Sequence, residues 1–193
     1  MGEGLLQIRW HGRGGQGAKT AAAMVAEVAV HAGKYGQAAP EYGAEREGAP
    51  IRAYTRIGEQ AIRVHDAIYY PDIVVVLDET LLDTQNVEGG LSEDGILLVN
   101  TARTPAEVRE ALGLEGCTIY TVEATRIALE EIGRPIPNTV MLGALLSVTE
   151  VVEVEEIKKS IEKKLGGKLS ESMLKGNLRA VERAFEEVKS ENG

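Results

Sequence analysis

The residues His11-Gly12-Arg13-Gly14-Gly15-Gln16-Gly17 bring together most of the groups with which this chain could do chemistry. Four glycines in six residues let the backbone take conformations that a side chain forbids, and they let another group come close. An apolar run, Leu5 to Trp10, precedes the motif, and an alanine-rich segment, Ala18 to Val30, follows it. That order reads as strand, tight turn, helix. The first N–H groups of such a helix, with its dipole, form a potential anion site. Open α/β sheets place ligands or partners at these strand ends.

Two nucleotide chemistries can be weighed against the motif. Gly12, Gly14 and Gly17 fit the G-x-G-x-x-G spacing of a dinucleotide turn. That turn also needs an acid about 20 residues on, at the end of the next strand, to hold the ribose. Gly36 to Pro40 offers none, and Glu41 sits in an irregular glycine-rich stretch. A phosphate loop fails for a different reason. Lys19-Thr20 come one residue late, which turns the lysine by about 100° around the helix. A turn that merely joins strand to helix, or one that meets a partner, remains open.

The second unusual stretch runs from Ala39 to Pro50 and carries Glu41, Glu45, Arg46 and Glu47. Its length without a clear period suggests a functional loop, with its charges in salt bridges or partner contacts. Elsewhere His65-Asp66 reads as a turn-stabilising pair, His31 as a surface residue and Cys117 as a small buried hydrophobe. Solvation at strand ends accounts for Asp72 and Asp78. No nucleophile elbow, triad or metal-ligand spacing emerges, so no catalytic or metal-binding residue is assigned. The chain looks incomplete on its own.

What must position these residues is an alternation of elements. Ile73 to Leu77, Gly95 to Val99 and Thr118 to Val122 read as strands, the first continuously apolar as if covered on both faces. Arg52 to Ile57 and Ala61 to His65, around Gly58-Glu59-Gln60, suggest a hairpin. Thr104-Pro105-Ala106-Glu107 gives an N-cap, a first-turn proline and a reciprocal glutamate, starting a helix to about Leu112. Another helix ends before Gly133, and Asn138 can cap one through Val148. Beyond it, Val154 to Leu165 and Ser170 to Val188 are amphipathic. The expected fold is α/β, an open, mostly parallel, Rossmann-like sheet with helices on both faces and a helical C-terminal appendage. One domain is expected, with a core over about 1–150 and helices over 151–193.

Composition narrows the function classes. The chain has 193 residues, 44% hydrophobic and 26% charged, as ordinary globular proteins do. A net charge of −9 argues against nucleic acid or an anionic membrane as partner. One cysteine excludes a disulfide framework or an iron–sulfur cluster held by this chain alone. No apolar run reaches the roughly 20 residues that span a bilayer, and no signal sequence is seen, so a cytoplasmic location is expected.

Taken in order, HGRGGQG, APEYGAEREGAP, PDIVVVLD and PNTVMLGALL resemble segments of the gamma-subunit family of the 2-oxoacid:ferredoxin oxidoreductases, the pyruvate type above all. The resemblance runs from about Leu5 to Phe185. It implies a subunit that contacts alpha, beta and delta chains, inactive alone. Such complexes convert a 2-oxoacid and coenzyme A to acyl-CoA and CO2 and reduce ferredoxin. They use thiamine diphosphate, magnesium and iron–sulfur clusters held by the other chains. The resemblance further implies cofactor or partner contact at Gly12, Arg13, Gly14, Gly15, Gln16, Gly17, Glu45 and Arg46. Two alternatives stand beside it: a gamma subunit for 2-oxoglutarate or a branched-chain oxoacid, and a stand-alone nucleotide-binding dehydrogenase.

Overall fold

A computed structural model describes residues 4–41 and 46–191. Seven strands form one sheet in the order β2-β3-β1-β4-β5-β6-β7. The centre, β1 (Leu5–Arg13), β4 (Ile73–Val76), β5 (Ile96–Asn100) and β6 (Thr118–Val122), is parallel. Antiparallel strands finish both sides: β3 (Pro50–Gly58) and β2 (Tyr35–Pro40) beyond β1, and the two-residue β7 (Lys189–Ser190) beyond β6.

Apolar alternation decides which face each helix covers. Ile8 and Trp10 of β1 point into a large cluster with α1 (Ala18–His31), α3 (Ala124–Ile132), α4 (Asn138–Val148), α5 (Val154–Leu165) and α6 (Glu171–Glu187). The opposite face of β4 and β5 is covered by Leu81, Leu82, Val87 and Val108, the last on α2 (Pro105–Leu112). Trp10 ties sheet to helix: its indole N–H donates to Thr55 Oγ1 at 3.0 Å, and that hydroxyl donates to Ala22 O of α1 at 2.9 Å. Helix α4 is apolar on all sides because α6 lies on it, so closely that a Cβ on Gly143 would overlap the Val181 carbonyl. Ile157, Ile161, Val181 and Ala184 of the C-terminal helices belong to the same buried cluster as β1. The Thr104 capping box forms as expected, with Gly113 left-handed at the far end of α2.

Three expectations are corrected. The hairpin around Gly58-Glu59-Gln60 does not form, because β1 already holds one edge of β3 and β2 takes the other. Residues 61–65 form no strand, and the neighbouring Asp66 is tied to the Arg56 guanidinium through its carboxylate at 3.0 Å. Tyr35–Pro40, whose sequence shows no clean helical or strand period, is strand β2. Its Gly36, Ala38 and Ala39 carry no β-branched signal, and pairing with β3 imposes the conformation. Finally, Pro137 occupies the cap position of α4 and Asn138 the first helical one.

Candidate functional site at the strand ends

The glycine motif is half strand and half turn. His11, Gly12 and Arg13 belong to β1, and the ladder with β3 continues past its end, Gly14 N–H donating to Ala49 O at 2.9 Å. Gly48 N–H returns to Gly14 O at 3.1 Å. The glycine turn and the far side of the 41–50 loop are therefore one unit. Of that loop, residues 42–45, Glu45 among them, lie outside the described residues. The Arg46 carbonyl lies where a Cβ on Gly14 would be.

The turn was expected to leave its backbone open to an outside group. Instead the chain fills most of it. Arg46 O sits on Gly14, Ala18 packs 3.2 Å from the Cβ position of Gly12, and Asn138 Nδ2 stands 2.5 Å from that of Gly17. Gly17, with φ +83°, caps α1, and the Asn138 side chain lies over this helix start. Gly15 alone faces open space, with φ +97°. There a glycine is needed for conformation, not for room.

Polar side chains knit the turn to β4. Gln16 accepts from Arg13 N–H at 2.7 Å through its side-chain oxygen and donates through Nε2 to Asp78 Oδ2 at 2.6 Å. The Arg13 guanidinium donates to Thr80 Oγ1 at 2.7 Å and Gly48 O at 3.1 Å, and lies 3.4 Å from Asp78 Oδ2. Asp78 also accepts from Thr80 N–H at 3.0 Å. Burial works against charge on Asp78, but the hydrogen bonds from Thr80 and Gln16 and the nearby Arg13 outweigh it together. They hold the carboxyl below its usual range. Sequence reasoning missed Asp78; its position after an apolar strand was the available signal.

Beside this network a cleft of about 510 Å³ opens over the carboxyl ends of β4, β5 and β6. Asp78, Glu79 and Glu123 line it, together with Asn100 and Arg126. Arg126 is engaged by Glu123, Glu130 and Glu187, the last at 2.8 Å. Asn100 Nδ2 donates to Leu77 O and Thr125 Oγ1, both at 2.8 Å. The cleft is thus large enough for a ligand yet lined by carboxylates.

Behind the turn, β1 buries two ionisable side chains. Arg9 donates to His11 Nε2 at 3.0 Å and to the carbonyls of Ile68, Val87 and Gly89 at 3.2, 2.9 and 2.6 Å. Burial, then the neighbouring Arg9 and Arg52, push the His11 pKa down to about 3, so the ring is neutral. His65 and Asp66 do not form the expected turn-stabilising pair, because each bonds to a different strand. His65 Nδ1 meets Gln37 Nε2 at 2.8 Å, and Asp66 meets Arg56. Cys117 is half-buried, and His31 sits exposed on α1 with Nδ1 at 2.7 Å from Glu27 O.

The missing ribose acid now has a structural reason. After α1 the chain does not return beside β1 as a parallel strand; β2 lies two strands away and runs antiparallel to β3. Among the described residues the place beside the end of β1 is taken by the amino end of the antiparallel β3, not by the carboxyl end of a following parallel strand. Among the described residues no helix is long and apolar enough to cross a membrane.

Comparison with known proteins agrees with this architecture. Residues 7–187 match the model of the family described as pyruvate ferredoxin/flavodoxin oxidoreductase. The chain is 58% identical over 184 residues to pyruvate synthase subunit PorC of Thermotoga maritima, covering 95% of each chain. It is 48% identical to the pyruvate/ketoisovalerate oxidoreductases common subunit gamma of Pyrococcus abyssi, covering 95% of this chain and 97% of that one. Its fold superposes on the crystal structure of the Thermotoga maritima pyruvate oxidoreductase subunit PORC with a TM-score of 0.86 and 52% identity, over 98% and 99% of the two chains. The chain belongs to the pyruvate ferredoxin/flavodoxin oxidoreductase family.

Proposed function

We propose that this chain is the gamma subunit of a pyruvate:ferredoxin oxidoreductase (pyruvate synthase) complex with alpha, beta and delta chains in the cytoplasm. The complex converts pyruvate, coenzyme A and oxidised ferredoxin to acyl-CoA, CO2 and reduced ferredoxin. Thiamine diphosphate with magnesium supplies the carbanion chemistry, and iron–sulfur clusters carry the electrons, both on partner chains. One cysteine in the whole sequence accords with that division of labour.

One observation carries the reading at the site: the glycine turn is closed by its own chain, with Arg46 O on Gly14 and Asn138 on Gly17. A turn filled in this way is a rigid surface feature, not a cradle. The donor set does not fit a diphosphate either. Arg13 is already engaged by Thr80 and Gly48, and an ionised Asp78 stands beside it. Phosphates of coenzyme A would meet repulsion from Asp78, Glu79 and Glu123 in the adjoining cleft. Gly12 to Gly17 and Arg46 therefore serve partner contact, around the exposed Gly15. The common gamma subunit of Pyrococcus abyssi favours a second reading in which the same subunit also serves a branched-chain oxoacid enzyme.

The purified chain should oxidise no pyruvate with a dye acceptor, with or without thiamine diphosphate. Adding the alpha, beta and delta chains should give activity that depends on this chain. Turnover by the pure polypeptide, or full activity of the other three without it, overturns the reading.

A further inference from the structure

The two ends of the sheet are protected very differently. At one end β7 is two residues long and carries Lys189, both of which discourage a further strand. At the other end β2 offers six residues, Tyr-Gly-Gln-Ala-Ala-Pro, without a charge. The phase of its ladder can be read from one bond. Glu41 N–H donates to Arg52 O at 3.0 Å, opposite it in register, so Tyr35, Gln37 and Ala39 turn their backbone groups toward β3. Gly36 and Ala38 then turn their N–H and C=O groups outward, and Pro40 its carbonyl. Since β2 is the terminal strand, no other strand among the described residues receives them. Exposed apolar side chains gather at the same edge. Tyr35 lies on β2, Val30 packs 3.1 Å from the Cβ position of Gly36, and Val64 precedes His65, which bonds Gln37.

We propose that β2 is a docking strand, to which an extended segment of a partner chain adds in register with Gly36, Ala38 and Pro40. Main-chain hydrogen bonds supply the attachment, and Tyr35, Val30 and Val64 supply apolar contact. The net charge of −9 sets two copies of this chain against each other and favours a basic segment from another polypeptide. The inference rests on the subunit reading above and names where one partner attaches.

Hydrogen exchange on the chain alone and in the assembled complex tests it directly. Within the complex, the amides of Gly36 and Ala38 should exchange at least about tenfold more slowly than in the isolated chain. Ala38→Pro removes only an outward N–H and costs no bond to β3, so it should leave the circular dichroism unchanged. The same variant should weaken retention of this chain in the complex about tenfold or more. Ala38→Lys, which places a charge on the edge and keeps the N–H, gives a second arm. Assembly of the wild-type chain without protection at Gly36 and Ala38 overturns the docking strand and leaves the subunit reading intact. Failure of the wild-type chain to assemble at all overturns both. Protection that rises with the concentration of the isolated chain assigns the edge to a second copy and overturns the heterologous partner.

Discussion

Gln16 Nε2 and Asp78 Oδ2, 2.6 Å apart, join the turn after β1 to the turn after β4, strands that lie side by side and parallel. The contact fixes the glycine turn at the very place where an α/β sheet offers a ligand crevice. It spends on internal order the two side chains best placed to bind something else.

Asp78→Asn should therefore cost stability rather than an isolated activity. The loss expected for charged hydrogen bonds is about 1.5–3 kcal/mol, measured by urea denaturation at neutral pH. The folded-state pKa is lowered, so this contribution is complete above the ordinary Asp value of 3.8 and vanishes as pH falls through the lower folded value. The difference between wild type and variant should shrink below that pH. A gap that stays constant down to strong acid would assign it to packing.

Gly14→Ala and Gly15→Ala separate space from conformation. At Gly14 the new methyl meets the Arg46 carbonyl, a clash in a packed turn that should cost about 1–3 kcal/mol. At Gly15 the methyl meets nothing within 4 Å, and only the φ of +97° opposes it, for roughly 1 kcal/mol. Melting temperatures should rank wild type above Gly15→Ala and Gly15→Ala above Gly14→Ala. The reverse order of the two variants would mean that the 46–49 segment yields easily.

His11 should stay neutral through the physiological range. Its ring resonances should not titrate between pH 5 and 8, because its folded pKa is about 3. The unfolded chain binds that proton near 6.5, so the folded state loses stability as pH falls from 6.5 toward 3. Replacing His11 by Gln should flatten this slope. Titration of the His11 signal near 6.5 would contradict its burial.

Arg9 holds two loops to β1 through the carbonyls of Ile68, Val87 and Gly89. Arg9→Met should strand those acceptors and cost at least about 3 kcal/mol. Arg9→Lys should recover only part, since an ammonium cannot span the same fork of carbonyls. Faster amide exchange in residues 66–72 and 86–90 of the Lys variant is the expected readout. Unchanged exchange there would show that the loops are held by other contacts.

Sequence by itself determined whatever local chemistry or burial on two faces dictates. Apolar β-branched runs are strands covered on both faces, which makes the centre parallel; Thr104 to Glu107 is a helix start; four glycines after a strand are a turn into a helix. It also supplied the family, because several segments matched in one order. Long-range pairing decided the rest. Whether Tyr35–Pro40 is loop or strand depends on β3, which begins only at Pro50, offering it an edge, and its small side chains say nothing of this. Whether the glycine turn is open depends on Asn138 and Arg46, which come from distant stretches and meet it only through packing. Asp78 looks like any solvated strand end until β1 and β4 become neighbours and Gln16 and Arg13 reach it. An extended chain cannot show which of its polar groups will use one another, and that choice tied this turn to β4 and to the 46–49 segment.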